Sequence, residues 1–277
     1  MKDSQLESKI AVLSIDGNNQ FSDCFSNFLD LALSYFCNNM NERQMKLRKI
    51  VEAHKPFRDA YKEAITCFGD DAADYHDPLG DIFMSRISHG DKGQFFTPED
   101  ISLFMSEIIL GDDVFDGMKV NDCACGTGRM LLMALKHCRE VKNVEPLLYA
   151  NDLSMMCAKM TLLNFLGNSA DGMVTCSDAL IADPRKTDFF KIDKVRNLAT
   201  GAVLSTYWQY TSADIEKVQE KREKWWLWVA EHGWVKWFKT SRHENENMVE
   251  KQEEKQEIAP LPTEIHIEEN GQLKLFD

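Results

Sequence analysis

The chain has 277 residues, 44% of them hydrophobic, and a formal net charge of −13. This length and composition predict a globular protein with a sizeable core and exclude a fully disordered chain. The acidic excess argues against tight, sequence-independent binding of nucleic acid by the chain alone.

The cysteines and the first residues indicate a reduced, non-secreted protein. The eight cysteines include no Cys-x-x-Cys pair, and no apolar leader follows Met1. We therefore expect reduced thiols, a cytoplasmic location and no membrane contact. Cys123 and Cys125 are separated by one residue, and no neighbouring cysteine or histidine completes a ligand set, so no metal site is predicted.

Residues 1–89 are predicted to form a helical N-terminal region. Between residues 21 and 69, apolar side chains recur every three or four positions, which is typical of amphipathic helices. The later segment Asp77-Pro78-Leu79-Gly80 predicts a turn that leads into a short helix.

Residues 90–210 alternate between strand and helix patterns, which predicts an α/β domain with a parallel sheet. Strands are expected at 118–122, 147–151 and 173–177, with helices at 129–139 and 154–166. A preceding helix is expected to begin at Pro98 with Thr97 as its N-cap. Its apolar residues Ile101, Phe104, Met105 and Ile108 share one face.

A glycine-containing loop, Asp122-Cys123-Ala124-Cys125-Gly126-Thr127-Gly128, stands between a predicted strand and a predicted helix. Its glycines can adopt positive φ and let the backbone approach a ligand, and the helix start offers N–H groups to a carboxylate or phosphate. Asp152 ends the next strand, where an acid can accept hydrogen bonds from ribose hydroxyls. The pattern indicates a nucleotide-like cofactor.

Two further segments sharpen this prediction. They are Gly93-Gln94-Phe95-Phe96-Thr97-Pro98, upstream of the loop, and Tyr149-Ala150-Asn151-Asp152, downstream of it. Together with the loop they resemble the adenine-N6 DNA methyltransferases, in particular the modification subunits of type I restriction systems. The resemblance covers residues 77–180 and implies a Rossmann-like fold that binds S-adenosyl-L-methionine.

The resemblance also implies roles for individual residues. The loop would surround the methionine end of the cofactor, Asp152 would bind its ribose and Asp178 its adenine amino group. The segment before Pro98 would close over it. Each position has a structural alternative: a tight turn, a helix N-cap, or an aromatic pair in the core. The implied cofactor-binding residues are Gln94, Phe95, Phe96, Thr97, Pro98, Asp122, Cys125, Gly126, Thr127, Gly128, Asp152 and Asp178.

The catalytic tetrapeptide of this family is missing. Adenine-N6 methyltransferases carry Asn/Asp-Pro-Pro-Tyr/Phe after the fourth strand, where it holds the amino group of a flipped-out base. This chain has no Pro-Pro pair, and its only acid–proline pair after the third predicted strand is Asp183-Pro184. No catalytic residue is assigned, and we expect a curtailed sheet because few residues remain to complete it.

Residues 211–241 combine basic side chains with tryptophans; all six tryptophans of the chain lie between 208 and 237. Basic residues among aromatics can hold nucleic acid by phosphate contact and stacking. An amphipathic helix that packs its tryptophans on the core or on a partner is the favoured interpretation.

Residues 242–277 form an acidic tail, with ten acidic residues and three lysines from Glu244 onward, and disorder is predicted. Its last residues resemble the peptides with which bacterial replication and repair proteins bind the sliding clamp. A frayed terminus or a final strand is the alternative. The residues of this partner peptide are Gln272, Leu273, Leu275 and Phe276.

The sequence therefore favours a DNA adenine-N6 methyltransferase-like protein of a restriction-modification or mobile-element system. DNA, a specificity or restriction subunit and the sliding clamp are the expected partners. The alternative is a non-catalytic module that binds S-adenosyl-L-methionine and DNA, because the tetrapeptide is missing. A third alternative is methylation of another substrate, such as a protein or small molecule, although the Gly-Gln-Phe-Phe-Thr-Pro segment favours DNA.

Overall fold

The structure is a computed structural model that describes residues 5–14, 20–88, 95–181, 187–196, 203–210, 266–267 and 273–274. The chain divides into two units, Met1–Thr211 and Ser212–Asp277. In the second unit the structure describes two short strands, β6 (His266–Ile267) and β7 (Leu273–Lys274), which pair antiparallel. Within the described ranges, no helix has the length and apolar character needed to cross a bilayer.

Helices make up the start of the first unit, as predicted. They are α1 (Gln5–Ile10), α2 (Phe21–Ser34), α3 (Glu42–Ala53) and α4 (Lys55–Asp71). The C-terminal half of α2 is buried on all sides, because α3 and α4 contact it on one side and a later helix of the α/β region contacts it on the other. A capping box between Asn41 and Gln44 fixes the start of α3.

Short helical elements connect this region to the sheet. A 3₁₀ turn (Ala73–Tyr75), α5 (Pro78–Phe83) and a π-helical turn (Met84–Ser88) precede α6 (Glu99–Leu110). The short helix predicted after Asp77 is confirmed by α5. The prediction that Thr97 caps α6 is wrong: Pro98 itself occupies the N-cap position, because its extended backbone (φ −55°, ψ 149°) keeps it out of the helix.

The α/β region contains a mixed five-stranded sheet in the order β1-β2-β3-β4-β5. The first three strands are parallel, and β3, β4 and β5 pair antiparallel. The predicted α/β fold is confirmed, whereas the β4–β5 hairpin was not predicted. The elements are β1 (Lys119–Asp122), α7 (Arg129–Lys142), β2 (Leu147–Asp152), α8 (Met155–Gly167), β3 (Asp171–Cys176), β4 (Asp188–Arg196) and β5 (Val203–Tyr210).

One hydrophobic core joins the N-terminal helices to the sheet. Helix α8 is buried on most of its surface because the sheet covers one side and α2 covers the other. Strand β5 also contacts the helices, since the Tyr207 hydroxyl accepts a hydrogen bond of 2.8 Å from Gln44 Nε2. The helical region thus holds the sheet from one side.

Candidate functional site

The three predicted aspartates lie at the same edge of the sheet. Asp122 is the last residue of β1, Asp152 is the last residue of β2, and Asp178 follows the end of β3 by two residues. Because β1, β2 and β3 are parallel, their carboxyl ends meet at one edge, where ligands bind in open α/β sheets. The glycine loop begins at the same edge.

Asp152 connects the glycine loop to β2. Its Oδ2 accepts a hydrogen bond from Gly126 N at 2.9 Å, and its Oδ1 accepts one from Ser154 N at 2.8 Å. A carboxylate has about four lone-pair sites, so both oxygens retain capacity to accept from a ligand. The N-cap of α8 is Ser154, whose side chain accepts from Cys157 N.

The loop backbone is held by internal hydrogen bonds. Cys125 N donates to Asn151 O at 2.9 Å, and Gly128 N donates to Cys125 O at 2.8 Å. With Gly126 N bound to Asp152, these three N–H groups are used within the protein. The Cys125, Gly126 and Gly128 N–H groups are therefore not available to a ligand.

Gly126 is required by both conformation and space. Its φ of +57° is in the left-handed region, and a Cβ atom there would lie 2.7 Å from the Phe96 ring. Phe96 also stacks on Phe83, with ring centroids 5.5 Å apart. The aromatic segment before α6 and the glycine loop are thus in direct contact.

The other residues of that segment have different environments. The Phe95 side chain is 75% exposed, while Thr97 is half-buried and Pro98 is exposed. Gln94 lies outside the described residues. Phe96 is therefore the aromatic residue of the predicted pair that contacts the loop.

Cys125 belongs to the glycine loop, and its side chain is buried. Its thiol is 3.4 Å from Thr161 Oγ1, which in turn donates to Gly126 O at 3.0 Å. Burial strongly raises the pKa of the Cys125 thiol, which keeps it protonated at neutral pH. The contact with Thr161 indicates that the Cys125 side chain packs the loop against α8.

Asp77 fixes the glycine loop through buried hydrogen bonds, a role that the sequence did not predict. Its side chain is fully buried and accepts hydrogen bonds from Thr127 Oγ1, Arg129 Nε and Asn164 Nδ2, the last two at 3.1 and 2.8 Å. Asn164 Nδ2 also donates to Thr127 O at 3.0 Å. The loop is therefore fixed to both α5 and α8.

Arg129 extends the same cluster. Its Nη2 donates to Asp81 Oδ1 at 2.7 Å, and its Nη1 donates to Thr97 O at 3.5 Å. Burial alone would lower the pKa of Arg129, but Asp77 and Asp81 outweigh burial and raise it. The signal that could have revealed the cluster is the Asp-Pro helix start at Asp77, where the carboxylate also accepts from Gly80 N.

The remaining predicted acids adopt local turns. Asp122 Oδ1 accepts from Ala124 N at 3.0 Å, and Asp178 Oδ1 accepts from Leu180 N at 2.9 Å. Cys123 is exposed, and the described part of the chain holds no group of three or more histidine, cysteine or acidic side chains that could bind a metal ion.

Several predicted features cannot be placed in this site. Asp183-Pro184 and the Trp-rich segment 211–241 lie outside the described residues. Of the predicted clamp-binding peptide, Leu273 lies in β7, whereas Gln272, Leu275 and Phe276 are outside the described residues.

Comparison with known proteins identifies a family for this region. Residues 76–229, more than half of the chain, match the family model of the N-6 DNA methylases. No curated protein matches the sequence.

Three solved structures are similar at low sequence identity. A candidate class I S-adenosylmethionine-dependent methyltransferase from Listeria monocytogenes is 13% identical, with a TM-score of 0.46 over 63% of this chain and 51% of its own. The methyltransferase subunit of a type I restriction-modification system from Streptococcus thermophilus is 19% identical, with a TM-score of 0.35 over 65% and 40%. A modification subunit of a candidate type I restriction enzyme from Vibrio vulnificus is 20% identical, with a TM-score of 0.29 over 63% and 35%. The chain thus spans about half or less of the length of each of these proteins.

Proposed function

This chain belongs to the N-6 DNA methylase family, and from that membership we propose that it binds S-adenosyl-L-methionine and acts as a DNA adenine-N6 methyltransferase. The observation that carries this proposal is the convergence of the glycine loop with Asp122, Asp152 and Asp178 at one edge of the parallel strands. A restriction-modification or mobile-element system is the setting in which such an activity fits.

The charge of this edge favours this cofactor over one that contains phosphate. S-adenosyl-L-methionine carries a positively charged sulfonium and a positively charged ammonium group, and has no phosphate. Three carboxylates near the loop attract these cations and would repel a pyrophosphate. The Cys125, Gly126 and Gly128 N–H groups are bonded within the protein and would not be available to a phosphate.

The residues present fit the cofactor. Asp152 retains acceptor capacity on both oxygens for two ribose hydroxyls, while its bonds to Gly126 and Ser154 hold the carboxylate in place. Asp178 would accept from the adenine amino group, and Asp122 with the loop would surround the methionine end. When bound, the cofactor supplies a methyl group activated on sulfur. Phe96 would close the pocket beside Gly126.

DNA is the proposed substrate, and additional subunits are proposed as partners. The chain is acidic, so DNA affinity from this chain alone should be low. A specificity or restriction subunit would supply the missing phosphate contacts. Action on DNA also fits the cytoplasmic location predicted from the sequence.

One observation favours a second candidate function. The chain has no Pro-Pro pair, so the acceptors that hold the target amino group are not present in the form this family uses. Loss of such positioning and of the charge stabilisation it gives should remove much of the rate. The second candidate is therefore a module that binds the cofactor and DNA without transferring the methyl group.

The C-terminal peptide adds a proposed partner. In the sequence, the apolar residues Leu273, Leu275 and Phe276 follow Gln272 within an acidic segment, which suits docking of a short peptide on the sliding clamp. Such docking would bring the chain to replicating DNA.

Mass spectrometry of nucleosides tests the proposed function. The full chain would be expressed in bacteria that lack adenine methylation, and their DNA would be compared with an empty-vector control. N6-methyladenine above the control supports methyl transfer. If none is found while the purified chain binds S-adenosyl-L-methionine, the proposed activity of the chain alone is wrong and the non-catalytic candidate replaces it.

A further inference from the structure

Helix α6 exposes its apolar side and buries part of its polar side. Ser102 and Ser106 are buried, at 0% and 5% exposure, and Ser106 Oγ donates to Ser102 O. The large apolar side chains face solvent at 39–69% exposure, although a surface helix normally directs that side to the core. These exposed residues are Ile101, Phe104, Met105, Ile108 and Ile109, which we call the α6 apolar face.

The order of the helices places α6 beside the outermost strand, β1. We call the long side of this strand that faces away from β2 the β1 edge; it is different from the edge at which the carboxyl ends of the strands meet. Crossovers between parallel strands are right-handed, so α7 and α8 lie on the same side of the sheet. Helix α8 packs on β2 and β3, α7 packs on β1, and α6 packs on α7. The helical layer therefore continues from α8 through α7 to α6, while the strands end at β1.

Among the described residues, strand β1 pairs with β2 alone, so its outer side is open in this part of the chain, and Lys119 and Asn121 are exposed. An open strand edge presents backbone N–H and C=O groups that can pair with another chain. Proteins normally cover such an edge, and here the neighbouring α6 apolar face is open as well.

Charge around this surface restricts what can cover it. Residues 99–122 contain seven acidic side chains and one basic side chain, Lys119. On the helix, Asp100 and Glu107 project beside Phe104, on the side away from the buried serines. Exposed acids continue past the end of α6 at Asp112, Asp113 and Asp116.

This acidic rim excludes several occupants on physical grounds. Nucleic acid and anionic lipid surfaces would be repelled by it. A second copy of the chain would bring an identical acidic rim against the first, and like charges facing each other across an interface cost free energy. A separate polypeptide with a basic rim has the complementary charge.

We propose that the β1 edge and the α6 apolar face together bind a separate polypeptide that adds a β-strand to β1. The strand would extend the sheet over α6, cover the α6 apolar face with its own apolar side chains, and place lysine or arginine near the acidic rim. Main-chain pairing would provide much of the affinity, and the apolar and charged side chains would provide specificity. This inference does not depend on methyl transfer.

Photo-crosslinking in the cells that produce the protein identifies the occupant. A benzophenone amino acid would replace Ile108 or Lys119 in the full chain, with the same substitution at Val12, which is 60% exposed and outside this surface, as the control. We expect the probes at positions 108 and 119 to crosslink to the same polypeptide, and the probe at position 12 not to crosslink to it. Crosslinks to a second copy, to different proteins from the two positions, or to nothing would overturn the proposal.

Hydrogen exchange and binding then test the mode of contact with the purified, crosslink-identified polypeptide. Amides at 119–122 should exchange more slowly in the complex, because strand addition pairs them. Ile108→Asp should weaken binding by about tenfold or more. The double variant Asp112→Lys, Asp113→Lys should also weaken binding, and its effect should be larger at low salt than at high salt. Val12→Asp should bind normally. Unchanged exchange at 119–122, or normal binding by Ile108→Asp with its fold intact by circular dichroism, would refute strand addition.

Discussion

At the residue scale, Asp77 is the centre of the buried hydrogen bonds that support the glycine loop. Its buried carboxylate accepts from α5, from the loop, and from Arg129 and Asn164. Removing one partner of a buried ion pair leaves the other charge without compensation, which costs about 3–5 kcal/mol. Asp81 also pairs with Arg129, but 56% of its side chain is exposed, so water can replace it.

We predict that Asp77→Ala lowers the free energy of unfolding by about 3–5 kcal/mol. Asp81→Ala, the matched control, should change it by about 1 kcal/mol or less because exposed ion pairs contribute little. Urea denaturation followed by circular dichroism gives both values. Equal costs for the two variants would show that the buried carboxylate has no special role.

Gly126 tests the contact between the loop and Phe96. Gly126→Ala and Gly117→Ala both place a side chain at positive φ, at +57° and +75°, but nothing lies within 4 Å of the Cβ position at Gly117. Gly117→Ala should therefore cost only the backbone strain of about 1–2 kcal/mol. Gly126→Ala should cost more and should also weaken cofactor binding, because the Phe96 ring must move.

Unfolding measurements and cofactor titration on the two glycine variants separate strain from contact. If the two variants lose equal stability and bind cofactor equally well, Phe96 does not pack on the loop as described.

Thiol labelling tests burial around the loop. Burial raises the pKa of Cys157 to about 12 and that of Cys176 to about 11, and it also raises that of Cys125. Because the thiolate is the reactive form, these three should label slowly near pH 8 and faster as the pH rises toward their pKa values. Exposed Cys123 should label first.

Peptide mass spectrometry after timed treatment with iodoacetamide measures each rate. Rapid labelling of Cys125 near pH 8, at the rate found for Cys123, would contradict the burial of its side chain.

The sequence revealed the acids that end strands, but it did not reveal the cluster that supports the loop. Asp152 was found because it lies at the end of an apolar run, and the end of a strand can be recognised from neighbouring residues alone. Asp77 and Asn164 are separated from the loop by 50 and by about 37 residues along the chain, so their contacts arise only from the tertiary packing of α5 and α8. The Asp-Pro helix start at Asp77 is visible in the sequence, but it does not indicate which distant segments contact that carboxylate.

At the element scale, elements with strong periodicity were predicted well. Helix α7 begins at Arg129 as predicted, and β2 begins at Leu147 as predicted. The β4–β5 hairpin was not foreseen, because β4 mixes charged and apolar residues and because residues 197–202, rather than a two-residue turn, separate the two strands in the sequence. The start of α6 was placed one residue early because Pro98 suits both the N-cap and the first helical position.

The α6 apolar face gives a prediction at the same scale. Replacing Ile101 and Ile108 by serine should change the free energy of unfolding by about 0.5 kcal/mol or less per residue, because both side chains already face solvent. Leu135→Ala in α7, which is fully buried, should cost about 2–5 kcal/mol. A large loss in the serine variants on urea denaturation would mean that α6 buries this face within the chain.

At the scale of the whole molecule, the N-terminal helices and the sheet share one core, and both contribute to the site proposed to bind the cofactor. Asp77 comes from the helical region, whereas Asp122 and Asp152 come from strands. Cofactor binding and folding should therefore be coupled, and S-adenosyl-L-methionine should raise the melting temperature of the wild-type chain.

The C-terminal peptide gives a second whole-molecule prediction. Leu275→Ala with Phe276→Ala should abolish retention of the chain on immobilised sliding clamp, while Lys274→Ala, between the apolar anchors, should be retained. Retention of the double variant at the wild-type level would remove the clamp from the proposed partners.

The proposed function depends most directly on cofactor binding at the glycine loop. Isothermal titration of the full chain with S-adenosyl-L-methionine should show one saturable site. Asp152→Ala should weaken that site by about 1–3 kcal/mol, the cost of lost charged hydrogen bonds. Asp171→Ala, at the opposite end of a strand, should leave it unchanged. No binding by the wild-type chain, or equal binding by Asp152→Ala, would contradict the assignment of this edge as the cofactor site.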